Sequence, residues 1–300
     1  VCHDDSKYWK DDLLDIIILG LPVFIIIFLI WRWRRGRVQI AIPLHWGTFL
    51  HKHVRFYRCL DEAGQTKFLR DVADVMRTTC FEGIKGYEPS EEIKLMVAVG
   101  FATFFHGLCD RIPQFRQSII LYPGDSFSDE YEPETGDIAG MATLDGPMLL
   151  AAESVREGFE MPNDGFNPVI HELAHYLDID MQAGQHSLYG QWESDNDHVI
   201  DDLPAGLDPE TMEKWRRVRD LELEKVRRGT SPLRDYSLSD EGELFATAVE
   251  VFFENPQDIR RQSPEFYLLL CDYFHLDPAS IYSRDGKHSN GFKGKLSFRD

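Results

Sequence analysis

His171 and His175 stand four residues apart in the stretch GFNPVIHELAHYLD, with Glu172 directly after the first. On a helix, positions i and i+4 fall on one face about one turn apart, so both imidazoles can aim at one point. Neutral imidazole is a good zinc ligand. Glu172 lies about 100° round the helix from His171, where it reaches a water beside the cation without being a ligand itself. The pattern H-E-x-x-H therefore predicts two metal ligands and one general base. Given this chain's composition, such a match is expected about 0.03 times by chance. The variable positions, Leu173 and Ala174, are apolar, as a helix packed into a core requires. Burying two imidazoles and a glutamate with neither cation nor pairing would be costly.

A hydrolytic zinc site needs a third protein ligand and an open position. A histidine at H-E-x-x-H-x-x-G-x-x-H spacing is absent, because position 181 is Met181. His186 and His198 sit in a polar stretch and read as solvated. A carboxylate on a second helix is the better source. In DEGELFATAVEVFFENP, Glu243 and Glu250 are seven residues apart, two turns along one face, among apolar neighbours. An acid in that setting needs a partner, and a metal ion is a good one.

These pieces need elements to hold them. Asn167 to Asp178 is helical in pattern, and residues 239–255 form a further helix that Pro256 stops. Asp208-Pro209-Glu210 starts another, running to about Arg228. Residues 51–82 have helical periodicity, and 94–108 suggest a buried helix. Gln117 to Gly124 reads as a strand and turn, and GPMLLAAESV as a second strand. Residues 128–137 and 184–207 read as exposed loops. The expectation is a mostly helical α+β chain with a small sheet.

The soluble part shows no internal repeat and no linker, so one domain over 51–284 is expected, with a loose tail at 285–300. The chain has 300 residues, 43% of them hydrophobic, which suffices for a sizeable core. Its formal charge is −19, with 51 acids against 32 bases, which argues against direct nucleic-acid binding. The five cysteines, Cys2, Cys59, Cys80, Cys109 and Cys271, are widely spaced and read as free thiols in a reducing compartment.

Residues 16–31 carry no charge, and with Leu13 and Leu14 the apolar stretch approaches the roughly 20 residues that cross a bilayer. Trp31 and Trp33 suit the headgroup boundary. Acids precede the stretch, and Arg32, Arg34, Arg35 and Arg37 follow it. The expectation is a single transmembrane helix over 13–33 in the cytoplasmic (inner) membrane. Residues 1–12 would lie outside, 34–50 would be a basic juxtamembrane segment, and the catalytic domain would be cytoplasmic.

GFNPVIHELAHYLD and GELFATAVEVFFENP, in that order, resemble the paired blocks of the Mlc titration factor A family of zinc peptidases. The similarity takes in SIILYPGDSF and covers about residues 50–280. The resemblance implies a zincin-like metallopeptidase domain holding one zinc ion on His171, His175 and Glu243, with Glu172 as catalytic base. It also implies that Tyr236, seven residues before Glu243, lies near the metal, where its phenol could serve an oxyanion. Asp178 and Glu250 match family positions too, and each could orient a ligand imidazole through its other N–H. The chain departs from the family after Asp178, in IDMQAGQHSLYGQW, and in its apolar N-terminal segment.

The expected function is membrane-anchored hydrolysis of a peptide or protein substrate by a metal-activated water. The alternative is a regulatory binding protein with weak or incidental peptidase activity. The resemblance implies such a partner, since a family member binds a sugar-responsive transcriptional repressor and titrates it from DNA.

Overall fold

The computed structural model describes residues 42–284 apart from 113, 116–117, 128–137, 143–145, 162, 177–191, 194–208 and 240. The apolar segment at 13–33, Asp178, His186, His198 and the tail at 285–300 lie outside these described residues. Among the described residues, no helix is long and apolar enough to cross a membrane.

The elements run α1 (Leu44–His53), α2 (Arg55–Cys59), α3 (Glu62–Thr78), β1 (Phe81–Gly83), α4 (Glu91–Phe104), β2 (Gln114–Phe115), β3 (Ile119–Tyr122), β4 (Gly140–Met141) and β5 (Met148–Ala151). Then come α5 (Ala152–Glu160), α6 (Pro168–Tyr176), β6 (Trp192–Glu193), α7 (Pro209–Arg227), a 3-10 turn (Asp235–Leu238), α8 (Glu241–Glu254), α9 (Pro256–Gln262), α10 (Pro264–Phe274) and α11 (Pro278–Tyr282). The fold is α+β and mostly helical, with a small mixed sheet. The predicted strand at 117–124 is β3. The helical stretch predicted over 51–82 is broken: α1 ends at His53, and α2 and α3 follow separately. GPMLLAAESV is only half strand, since the chain turns from β5 directly into α5 at Ala152.

The sheet order is β1-β3-β5-β4. β1, β3 and β5 are parallel, with Phe81 opposite Ile119 and Ile120 opposite Leu149. β4 runs antiparallel on the edge, with Gly140 opposite Leu150. A separate antiparallel pair joins β2 to β6. All four residues of β5 are buried, as a strand covered on both faces requires.

Local signals set several helix starts. Asp61 accepts from the Gly64 N–H and Ser90 from the Ile93 N–H, which caps α3 and α4. α4 is buried along nearly its whole length. Gly100 lets it approach α6, since a Cβ there would lie 2.5 Å from Val169 Cγ1. Beneath α8, Phe252 and Phe253 pack against Phe274 with ring centroids 5.5 and 5.2 Å apart. The helices that carry His171, His175 and Glu243 are thus anchored in one core. Among the described residues, Cys59, Cys80, Cys109 and Cys271 are not joined in disulfides.

One half-buried histidine makes the fold sensitive to acid. The His106 ring meets Phe56 edge-on at 5.3 Å, and its Nδ1 has no hydrogen-bond partner. Burial, helped by the Lys67 charge and opposed by Asp61, pushes His106 down to about 4. In the unfolded chain it titrates near 6.5, so between those values only the unfolded state takes the proton. Stability therefore falls as pH drops through this window. The expected loss between pH 7 and pH 5 is on the order of 2 kcal/mol from this group. His106→Leu should remove that part of the pH dependence, read from urea unfolding at both pH values. An unchanged slope would refute it.

Candidate metal centre

The helix α6 begins where Asn167 caps it. The Asn167 side chain accepts from the Ile170 N–H at 3.2 Å, and Pro168 occupies the first helical position, where no N–H is needed. The second helix grips this start. The Asn167 N–H donates to Glu250 Oε1 at 2.9 Å, and its side-chain amide donates to Glu254 Oε1 at 3.0 Å. Glu254 also accepts from the Asn163 N–H at 3.3 Å. Two carboxylates from α8 thus meet the positive end of the α6 dipole, where negative charge is favoured. This contact sets the register between α6 and α8, and so between the histidines and Glu243.

The imidazoles converge. His171 Nε2 and His175 Nε2 are 3.2 Å apart. His171 Nε2 is 3.0 Å from Glu243 Oε2, and His175 Nε2 is 3.5 Å from Glu243 Oε1. Among the described residues, these three side chains form the cluster able to hold a metal ion, with all their ligating atoms within 4.8 Å of one another. Ligands at about 2.0–2.2 Å from a tetrahedral zinc ion stand roughly 3.3 Å from each other. The 3.2 Å between the imidazoles and the 3.0 and 3.5 Å to the two Glu243 oxygens lie near that value, so the donor set is compatible with a small divalent cation. Two imidazoles and one carboxylate are also the ligand types of a catalytic zinc site.

Glu243 and Glu250 both face His171, but on opposite edges of its ring. Glu243 stands on the Nε2 edge, shared with His175. Glu250 Oε2 is 3.2 Å from Nδ1. The two acids left open by sequence spacing therefore differ in place: Glu243 belongs with the convergent nitrogens, and Glu250 lies behind one of them. Arg234 hydrogen-bonds Glu250 from the other side, with its guanidinium 5.2 Å above the Phe166 ring. No local pattern in the sequence marks Arg234 as part of the site.

Tyr236 donates its phenol to Glu243 Oε1 at 3.2 Å, and its ring centroid is 6.0 Å from that of His171. It is half exposed, at 51%, rather than a core tyrosine. His171 is the more enclosed of the two histidines, while His175 and Tyr236 are partly exposed.

Charges within the cluster are strongly coupled. Burial disfavours a charged imidazole at His171. The close Glu243 and Glu250 carboxylates, 3.0 and 3.2 Å from its ring nitrogens, and the charge of Glu172 overcome it and hold His171 up at about 10. Burial would raise Glu243, but the His171 hydrogen bond and the His171 and His175 charges hold it below the usual carboxylate range, with help from the Tyr236 bond. A cation must displace the His171 proton, so cation affinity falls as pH falls.

Glu172 is 4% exposed. Burial pushes its carboxyl up to about 8; the His171 charge and the Ala142 N–H that it accepts from lower it, while the Glu243 charge raises it. The structure thus brings His171, Glu172, His175, Tyr236, Glu243 and Glu250 together, and Asp178 lies outside the described residues.

Residues 30–275 match the family described as glucose-regulated metallo-peptidase M90. Proteins named Mlc titration factor A from Yersinia pestis (strain Pestoides F) and from Yersinia pseudotuberculosis serotype O:1b (strain IP 31758) are each 22% identical to the chain over 271 residues. Each alignment covers 85% of this chain and 92% of the relative. The domain is metallopeptidase-like in sequence, and its His-His-Glu cluster agrees with that. The chain belongs to the glucose-regulated metallo-peptidase M90 family.

Proposed function

We propose that this chain is a zinc-dependent peptidase held at the cytoplasmic membrane by residues 13–33, with its catalytic domain in the cytoplasm. The observation that carries the peptidase reading is the spacing of the His171, His175 and Glu243 ligand atoms at 3.0–3.5 Å, with the buried Glu172 beside them. The apolar run and the arginines that follow it support the anchoring.

His171, His175 and Glu243 would hold zinc, which polarises a carbonyl and acidifies water. Glu172 takes a proton from the attacking water and passes it to the leaving amine. Tyr236 turns its phenol from Glu243 to the oxygen that gains charge as the carbonyl becomes tetrahedral. Glu250, itself held by Arg234, stands 3.2 Å from His171 Nδ1, where it would accept that proton and fix the ring so that Nε2 faces His175. Beside Glu172 lies the edge strand β4, and among the described residues no strand pairs with its outer side. An extended peptide can add there as a further strand.

The test is zinc stoichiometry by elemental analysis on purified protein, paired with aminopeptidase and endopeptidase assays. About one zinc per chain is expected, together with hydrolysis that a chelator abolishes and added zinc restores. Protein that carries zinc and cleaves neither class of substrate would overturn the reading.

The names of the relatives favour a second reading, in which the domain binds and sequesters a transcriptional regulator and hydrolysis is incidental. Glu172→Gln separates the two. If it restores the phenotype of a deletion strain, binding is the function.

A further inference from the structure

Gly140 and the main chain that follows it touch the proposed general base rather than the cation ligands. A Cβ built on Gly140 would lie 2.4 Å from Glu172 Oε1, 2.7 Å from its Cγ and 2.9 Å from its Cδ. No side chain fits there while Glu172 keeps its place. Two residues on, Ala142 brings its main-chain N–H near the same carboxylate. The strand explains why that N–H is free to turn there. The Ala151 N–H donates to the Ala139 carbonyl at 2.8 Å, and Met141 stands opposite Leu149. Main-chain groups alternate in direction along an antiparallel edge, so Ala139 and Met141 face β5 while Gly140 and Ala142 face outward. The outward side of the strand therefore turns the Ala142 N–H toward Glu172.

We propose that β4 is the positioning element of the general base. The missing side chain at Gly140 makes the slot in which the Glu172 carboxylate lies, and the Ala142 amide orients it there. The consequence for rate rests on the peptidase reading above; the contact itself does not. A peptide that adds to β4 would press on the same strand that holds the base, which ties substrate docking to the placement of Glu172. Gly140 and Ala142 act through Glu172, so both are positioning residues.

Three variants of the full chain test this. Gly140→Ala forces Glu172 out of the slot, and a displacement of about 1 Å at the reacting groups lowers kcat about 100-fold. KM and zinc content should stay within about twofold of wild type, a split that a general loss of structure would not give. Ala142→Pro removes the amide donor without adding a group at position 140, and proline is tolerated on an edge strand. Losing a hydrogen bond to a charged group should lower kcat about 10-fold or more. The third arm is independent of activity. In amide NMR spectra the Ala142 proton is shifted downfield by its carboxylate acceptor, and the signal moves upfield in both Gly140→Ala and Glu172→Ala. If wild-type protein hydrolyses nothing but the signal moves as stated, the positioning holds and the peptidase reading falls. Wild-type kcat in Gly140→Ala, or an Ala142 signal unmoved in Glu172→Ala, overturns the proposal.

Discussion

Glu172→Gln is expected to keep its zinc and lose about 10²–10⁴-fold in kcat, which is the range that a positioned general base contributes. The amide has the shape of the carboxylate, and its oxygen can still accept from the Ala142 N–H. What it lacks is basicity, so no group at that position takes the proton from the attacking water. KM should change little, because Glu172 is 4% exposed and offers a bound peptide almost no surface. Folding should not suffer either. In the zinc-free protein burial pushes the Glu172 carboxyl up to about 8, against an ordinary value of 4.5. A raised folded value means that its contribution to stability is full at pH below 4.5 and is lost as pH rises through 8. At neutral pH the burial of this acid is therefore a cost, which a neutral amide does not carry. Elemental analysis, steady-state kinetics and thermal unfolding read the three expectations separately. Wild-type turnover in this variant would remove Glu172 from the mechanism.

The sequence is most legible where chemistry and helical period coincide. His171 and His175 are predicted on one face by their spacing alone, and in the structure their Nε2 atoms are 3.2 Å apart. The carboxylate helix is equally readable, because Glu243 and Glu250, seven apart in an apolar run, must share a face that is half core, where an acid needs a partner. Which acid does what is not readable from spacing. Both lie on one face, and only the ring of His171 distinguishes them, by turning Nε2 to one and Nδ1 to the other. Tyr236 carries no local signal, and its position near the cluster is an implication of the family resemblance. Arg234 and Gly140 carry none at all. An arginine two residues before Tyr236 looks like any surface arginine, and a two-residue edge strand is too short for an alternation pattern to register. The switch from β5 to α5 at Ala152 leaves no mark either, because alanine suits both neighbours and no turn residue intervenes. The apolar segment at 13–33 is strong as a sequence pattern and lies outside the described residues.

Removing the third carboxylate is the harsher test of the centre. Glu243→Ala is expected to weaken zinc binding by more than about 100-fold, since even residues that only orient a ligand are worth about 10–100-fold. The geometry makes this variant diagnostic. Glu243 offers Oε2 at 3.0 Å from His171 Nε2 and Oε1 at 3.5 Å from His175 Nε2, so it closes the third corner of the cluster. Without it, two imidazoles face solvent with a gap that no other described acid fills. Glu250→Ala is the control, because it removes a carboxylate from the same helix and the same histidine. It takes away the Nδ1 partner and the acceptor for the Asn167 N–H, and leaves all three ligand atoms. Its zinc affinity should fall about 10–100-fold, with activity partly recovered at high zinc. Competition against a chromophoric chelator measures both affinities on one scale. Should Glu243→Ala bind zinc as tightly as wild type, or no more weakly than Glu250→Ala, the cation is held by other groups. The hydrolase reading would then fail, because Glu172 and Tyr236 would have no metal beside them.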